Sequence, residues 1–304
     1  MILPQFGIFA QGTHSNYFLE FDIRQEASAD TIVSAFRRLR SPDVTSGGVN
    51  YVLAFGSRVW RKVAASSAPD ALADFQEIVG SDGHKAPATQ HDAWVWIGGS
   101  APDVVWDHAR STVLAVADVA RLATDLFGFT YRDSRDETGF IDGTANPDLL
   151  HAPEVALIPE GQPGEGGSHV LVMRWVHDLD SFNKLSIKDQ QDVIGRTKPD
   201  SLELSAQEKP KTAHIARVSM EVNGAELELF RRSVPYGNLR EYGLNFVAFS
   251  ADPTRFQRML ERMFGLSGDG IRDRLLDFSR PVSGALYFAP SLNKLQELAG
   301  PGTD

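Results

Sequence analysis

The spacing of apolar and polar positions changes period several times along this chain, and each change predicts an element. Tyr17 to Ile23 alternates with period two, as a half-buried strand does, and Ala29 to Leu39 follows at helical spacing. Val49 to Trp60 predicts a second strand, Asp70 to Val79 a helix, and Ala93 to Gly98 a third strand. A long helical pattern then runs from Val104 to Phe127 and ends near Gly128. Between His151 and Ser168 stand Pro153, Pro159, Pro163 and several glycines, which mark the clearest linker. A similar programme restarts beyond it. His169 to His177 reads as a strand, and Ser181 to Ile194 as a helix capped by Asp180 or Ser181. Glu226 to Val234 and Leu244 to Ser250 read as strands, Pro253 to Phe264 as a helix with proline in its first turn, and Gly284 to Ala289 as a last strand. The pattern predicts a duplicated α+β unit: an N-terminal half over 1–150, a linker over 151–168 and a C-terminal half over 169–304. No residue-level repeat accompanies it.

Composition narrows the function. A chain of 304 residues can bury a substantial core, and 42% hydrophobic with 23% charged residues is ordinary for a globular protein. The formal net charge of −10 argues against a nucleic-acid binder. The local exception, Phe36-Arg37-Arg38-Leu39-Arg40, reads first as a solvated helix C-terminus, where cations are favourable. Absence of cysteine excludes disulfides, thiolate ligands and cysteine nucleophiles, and suits a reducing compartment. No stretch approaches ~20 continuous apolar residues, so no membrane span is expected. The first residues carry no basic start followed by an apolar run. A cytoplasmic location is the expectation.

The most telling stretch is Gly139-Phe140-Ile141-Asp142-Gly143-Thr144-Ala145-Asn146-Pro147. Gly139 and Gly143 let the backbone turn sharply and approach a flat ligand, presenting Asp142 at a fixed place with Phe140 and Ile141 to exclude water. Such a carboxylate can shuttle protons; an ordinary turn with a capping aspartate fits the motif equally well. The eight histidines form no close zinc pattern. A single axial ligand is another matter, because haem iron needs only one, and His214 follows a polar, proline-containing loop. Taken alone it reads more readily as a surface histidine. In Phe230-Arg231-Arg232-Ser233-Val234-Pro235-Tyr236-Gly237, strand alternation sends Arg231 to the face of Leu227, Leu229 and Ser233. Arg232 goes to the face of Glu226 and Glu228, as the solvated one. An arginine among apolar side chains needs an anionic partner, which a structural ion pair or a functional site could supply. Asp277, in Arg274-Leu275-Leu276-Asp277-Phe278-Ser279, is a carboxylate in an apolar setting, or simply a turn aspartate.

Taken in order, the Gly-x-x-Asp-Gly turn, the Ala213-His214-Ile215 triplet and the Arg-Arg-Ser-Val-Pro-Tyr-Gly block resemble the dye-decolourising peroxidase family. The blocks Arg174-Trp175-Val176-His177-Asp178-Leu179 and Val193-Ile194-Gly195-Arg196-Thr197-Lys198 extend the likeness over almost the whole chain. It is strongest to the compact bacterial B-type branch. The resemblance implies an α+β fold of duplicated ferredoxin-like halves, antiparallel sheets with peripheral helices, of the dimeric α+β barrel type. It implies one haem b per chain with His214 as proximal ligand and Asp277 accepting the other ring proton. It places Asp142 and Arg231 on the distal face as catalytic residues, with Gly143 and Ser233 beside them and Arg196 at a haem propionate. Hydrogen peroxide and a reducing substrate (a dye, a phenol or a similar donor) are the implied partners, and electrons could enter through Trp175 or Tyr236. Aromatic core packing is the more usual explanation for both. A homodimer or larger homo-oligomer is implied, and no encapsulin-targeting tail is evident. The competing reading is a haem-handling protein that releases iron, similar to a deferrochelatase. It needs the same proximal ligand but has no use for a distal acid/base and an anion clamp.

Overall fold

A computed structural model describes residues 2–39, 48–222 and 224–299. Arg40, the last of the predicted arginine cluster, lies outside the described residues, as do the final residues 300–304 in which a tail was sought. The N-terminal elements are β1 (Ser15–Ile23), α1 (Ala29–Phe36), β2 (Asn50–Phe55), α2 (Ser57–Ala64), the short pair β3 (Ile78–Val79) and β4 (Lys85–Ala86), β5 (Ala93–Gly99), α3 (Pro102–Val116) and β6 (Ala120–Phe129). Next come α4 (Ala152–Ala156), β7 (Ser168–His177), α5 (Leu179–Phe182), α6 (Ile187–Ile194) and α7 (His214–Val218). The chain continues with β8 (Glu221–Val222), β9 (Ala225–Glu226), β10 (Phe230–Arg231), β11 (Val234–Gly237), β12 (Tyr242–Ser250), α8 (Thr254–Met263), β13 (Ser279–Pro281), β14 (Ala285–Ala289) and α9 (Leu292–Ala299).

Pairing turns these strands into a closed barrel. One antiparallel sheet runs β6-β1-β5-β2, the other β11-β12-β7-β14, and the two meet at both edges. Each seam is narrow: Tyr236 faces Gly128 at one, and Phe288 faces Phe55 at the other. A side chain at Gly128 would put its Cβ 2.7 Å from Val234 Cγ1, so only glycine lets β6 and β11 approach this closely. Inside the barrel, Phe18, Trp94, Trp96, Val170, Val172, Val247, Phe249 and Tyr287 pack from both sheets. Closure leaves few free strand edges. The fold is α+β, with two ferredoxin-like halves forming one α+β barrel.

The outer faces of the two sheets differ. On the N-terminal sheet, α1, α2 and α3 pack directly through Ile32, Phe36, Val59, Trp60, Val105 and Val116. On the C-terminal sheet, α8 packs through Phe256, Met259, Leu260 and Met263. Burying each such side chain contributes roughly 1.5–3 kcal/mol, and Asp252 just before α8 accepts from Thr254 N and Oγ1 at its start. Between that sheet, α6, α7 and α8 lies an open cleft.

Several predicted elements differ from the observed ones. The stretch Val104–Phe127 is a helix only to Val116 and then becomes β6, whose edge-to-edge pairing with β1 overrides its helical spacing. The predicted strand over Val49–Trp60 stops at Phe55; Gly56 caps α2 instead. No helix forms over Asp70–Val79. There, Phe75 N donates to Gln90 Oε1 and the Asp74 carboxylate accepts from Ser57 N, so side chains rather than helical bonds satisfy the backbone. The predicted helix Ser181–Ile194 is two, capped by Asp178 and Ser186. The strand over Glu226–Val234 is broken into the short β9 and β10. The segment read as a linker contains α4, whose Ala152, Val155 and Ala156 are buried. Among the described residues, no helix is long and apolar enough to cross a membrane.

Candidate active site

The cleft is walled by Met173 and Trp175 from β7, Leu244 and Phe246 from β12, Met259, Leu260 and Met263 from α8, and Ile215 and Val218 from α7. Counting its open mouth, it holds about 1050 Å³ of space free of protein atoms. Its polar groups stand at separate places in this apolar wall: His214, Asp142 with Arg231, Arg196, and the pair Asp136–His177.

His214 is the first residue of α7. Its Nδ1 lies 2.7 Å from Asp273 Oδ2, and Asp273 is fully buried. The other Asp273 oxygen accepts from Leu275 N, and its own N–H donates to Met263 O, so the carboxylate is held on both sides. Helix α7 is clamped in turn. Buried Arg217 binds both oxygens of Asp269 and also Ser267 Oγ, while Arg262 donates to Ala216 O. Asp277, expected behind His214, is not there. It accepts from Arg272 Nη2 at 2.7 Å on a partly exposed surface. A single short turn, Arg274–Asp277, separates the two aspartates: Asp273 caps its start and points to His214, and Asp277 ends it pointing away.

Asp142 sits on a hairpin that doubles back on itself. Arg135 pairs with Ile141, Asp136 N donates to Phe140 O, and Asp142 N donates to Ser134 O. Gly139, at φ +90°, makes the turn, where a Cβ would strike Lys198 Cε at 2.7 Å. The Arg135 guanidinium pins the turn through Gly139 O, Lys198 O and Pro199 O, and Phe140 packs with Phe182 and Val193. Asp142 Oδ1 accepts from Gly143 N at 2.7 Å. Burial pushes its carboxyl above the usual range; nearby Arg231 opposes this and Asp136 adds to it.

Arg231 lies with Asp142 on the cleft, yet no ion pair joins them among the described residues. Asn146 holds the arginine instead, accepting from Arg231 N at 3.0 Å and from Nε at 3.4 Å while donating to Arg231 O at 2.8 Å. Burial lowers the guanidinium's proton affinity against the pull of Asp142. Ser233 lines not the cleft but an adjoining, more polar recess, which reaches the same Asp142, Gly143 and Arg231 from another side. Arg232 is not solvated. Its guanidinium stacks 5.3 Å from the Trp96 ring and donates to Ala10 O, it has no acidic partner among the described residues, and burial lowers it to about 10. The strand alternation that sent it outward fails because β10 is only two residues long. Arg196 donates to Ser201 O, and its Nε is buried on the cleft without a protein partner. Trp175 and Tyr236 are both buried, the first in the cleft wall, the second hydrogen-bonded to Glu241.

Three residues that sequence reasoning passed over form a cluster, of which Asp136 and His177 line the same wall. His177 Nε2 lies 3.0 Å from Asp136 Oδ1, and its Nδ1 lies 2.8 Å from Ser279 Oγ. Asp136 Oδ2 also accepts from Thr138 N and Oγ1. Glu137 stands beside the pair, within 4.8 Å. Burial, then Asp136, pushes Glu137 up to about 7. Both ring nitrogens of His177 are already engaged, which makes the group a hydrogen-bonded chain rather than an open ligand set.

A roomy cleft with apolar walls, one imidazole backed by a buried carboxylate, and an orphaned arginine Nε able to meet an acidic substituent together fit an iron porphyrin. Comparison with known proteins agrees. Residues 5–130 match the Dyp-type peroxidase N-terminal family and residues 133–294 the Dyp-type peroxidase C-terminal family. The chain belongs to the Dyp-type peroxidases. A dye-decolorizing peroxidase of Mycolicibacterium paratuberculosis is 37% identical over 259 residues, covering 83% of this chain and 73% of the relative. A crystal structure of a putative Dyp-type peroxidase from Shewanella oneidensis superposes with a TM-score of 0.92 at 32% identity over the whole of both chains. A variant of DypB from Rhodococcus jostii RHA1, in complex with heme, superposes with a TM-score of 0.86 at 31% identity over 96% of this chain and 97% of that one. This Dyp-type peroxidase is a haem-dependent oxidoreductase that consumes peroxide with a reducing substrate.

Proposed function

We propose that His214 would hold the haem iron and that Asp142 and Arg231 would carry out the peroxide chemistry on the same cleft. The observation that carries this reading is the placement of a carboxylate-backed imidazole and an unpaired carboxylate–guanidinium couple on one apolar cleft. When bound, the haem supplies the iron that activates peroxide and stores the oxidising equivalents. Asp273 accepts the Nδ1 proton of His214, which leaves Nε2 as the free donor and makes the ring electron-rich. Arg196, through its unpartnered Nε, would hold a propionate.

Asp142 acts as the proton carrier. One oxygen is occupied by Gly143 N, so the other takes a proton from one oxygen of hydrogen peroxide and returns it to the far oxygen, which leaves as water. Arg231, oriented by Asn146 and without an ion pair among the described residues, stabilises the hydroperoxide anion meanwhile. The recess lined by Ser233 reaches these same two residues and serves as the peroxide route. Dyes, phenols and similar donors then return electrons. We further infer a homo-oligomer working in a reducing compartment, which a chain without cysteine suits.

Replacing His214 with alanine tests the reading. The haem-reconstituted variant is expected to lose the absorption band near ~400 nm that bound haem gives, and to keep a folded far-ultraviolet spectrum. Normal haem retention would remove His214 from the ligand position.

A further inference from the structure

We propose that the buried chain Ser279–His177–Asp136 is a positioning element of the peroxide site, whose charge balance governs whether Asp142 stands ready as a base. This deepens the reading of Asp142 given above and rests on it.

The hairpin geometry couples the two aspartates. Arg135 and Ile141 are directly opposed, so the flanking pairs Asp136/Phe140 and Ser134/Asp142 point to the other face. Asp136 and Asp142 are thus diagonal neighbours on one face, a relation that places residues ~7–8 Å apart, and their Cβ atoms somewhat closer. Both line the cleft. Two carboxylates at that range in a poorly solvated wall repel each other's ionisation. The second charge must therefore be balanced, and His177 does this. It is buried, contacts Asp136 through Nε2 and Ser279 through Nδ1, and can donate from both nitrogens only as imidazolium.

The shifts agree with that arrangement. Burial opposes a charge on His177, yet Asp136 prevails and raises its proton affinity. Burial likewise opposes ionisation of Asp136, and His177 with Thr138 holds it below the usual range. Charged groups near the pair and Asp142 include Glu137, Arg231 and His214, and Arg196 lines the same cleft and acts on Arg231. Glu137 is near half-ionised at neutrality, with its Oε2 buried and unpartnered, so it tightens the hold on the imidazolium as pH rises.

Two substitutions within this one hydrogen-bonded pair have opposite consequences. Asp136→Asn removes the negative charge beside Asp142, which then ionises at lower pH. His177→Gln leaves that charge uncompensated, so Asp142 ionises at higher pH. The midpoint of Asp142 is read directly, by its carboxyl carbon resonance in the full-length haem-free chain, assigned by its loss in Asp142→Asn. A second readout is the acid limb of the reaction of the haem-loaded protein with peroxide. Because Asp142 must be deprotonated to work, that limb follows its midpoint. Displacements of roughly half a pH unit or more are expected, downward for Asp136→Asn and upward for His177→Gln. Should His177→Gln not fold, Ser279→Ala weakens the same imidazolium and shifts the midpoint upward by less. Shifts in the same direction, or none, overturn the proposal. If the resonance moves while the acid limb does not, the coupling stands and the assignment of Asp142 as base fails.

Discussion

Arg231 and Arg232 are adjacent in the chain, and their surroundings assign them different work. Arg231 faces the cleft with its guanidinium held from one side by Asn146, whereas Arg232 lies over Trp96 and bonds Ala10 O. Leucine at 231 should slow the first spectral change after peroxide mixing by about 10²–10³-fold, the usual loss for one charge-stabilising donor. Leucine at 232 should leave that rate within a few-fold and lower thermal stability instead, through loss of the ring contact. Stopped-flow absorbance and melting curves on the two variants separate the roles; exchanged phenotypes would reverse them. The placement of Arg231 among the cleft side chains was legible in its block of sequence. The burial of Arg232 was not, because alternation presumes a continuous strand and β10 has only two residues. Asn146 was equally hidden: an asparagine before proline reads as turn chemistry, and its contact with Arg231 crosses a gap of 85 residues.

At the level of elements, the short turn Arg274–Asp277 decides which aspartate serves His214. Asparagine at 273 should weaken haem retention or activity by about 10–100-fold, as loss of a ligand's hydrogen-bond partner does, while asparagine at 277 should leave both near wild type. Haem dissociation to an apo-globin acceptor measures this, and an equal effect of the two would contradict the geometry. Sequence favoured Asp277 because apolar residues surround it in the chain. Asp273 stands between Arg272 and Arg274 with no local signal of burial, and its fully buried position comes from tertiary packing against Met263 and α7. The same limit explains the element errors. A period-3.6 pattern continued through Ala120–Phe129, and only the partner strand β1 shows that this stretch is extended. Elements with strong local signals, such as β1, β5, β7 and α8, lie where periodicity placed them.

Across the whole molecule, the barrel and the cleft are separate devices. The cleft belongs to the outer face of the C-terminal sheet, while the barrel closes through two single-residue seams. Leucine at Gly128 would overpack one seam at a cost of about 1–3 kcal/mol, lowering the melting temperature while leaving haem uptake intact. Calorimetry with a haem titration tests this; lost uptake would mean that closure shapes the cleft after all. The two-half design was legible as a repeated programme of strands and helices. The barrel was legible only through the family resemblance and not from periodicity, since closure depends on contacts between residues far apart in the chain. One feature of the cleft also bears on the protein's working life. Three of the 5 methionines, Met173, Met259 and Met263, form its wall, where thioethers adapt well to a broad flat guest. Thioethers are also readily converted to sulfoxides, which are polar and larger. Under excess hydrogen peroxide, peptide mass mapping should find gains of about 16 Da first at these three positions rather than at Met220, accumulating in step with inactivation. The lining that makes the cleft hospitable thus also limits how many turnovers one molecule survives.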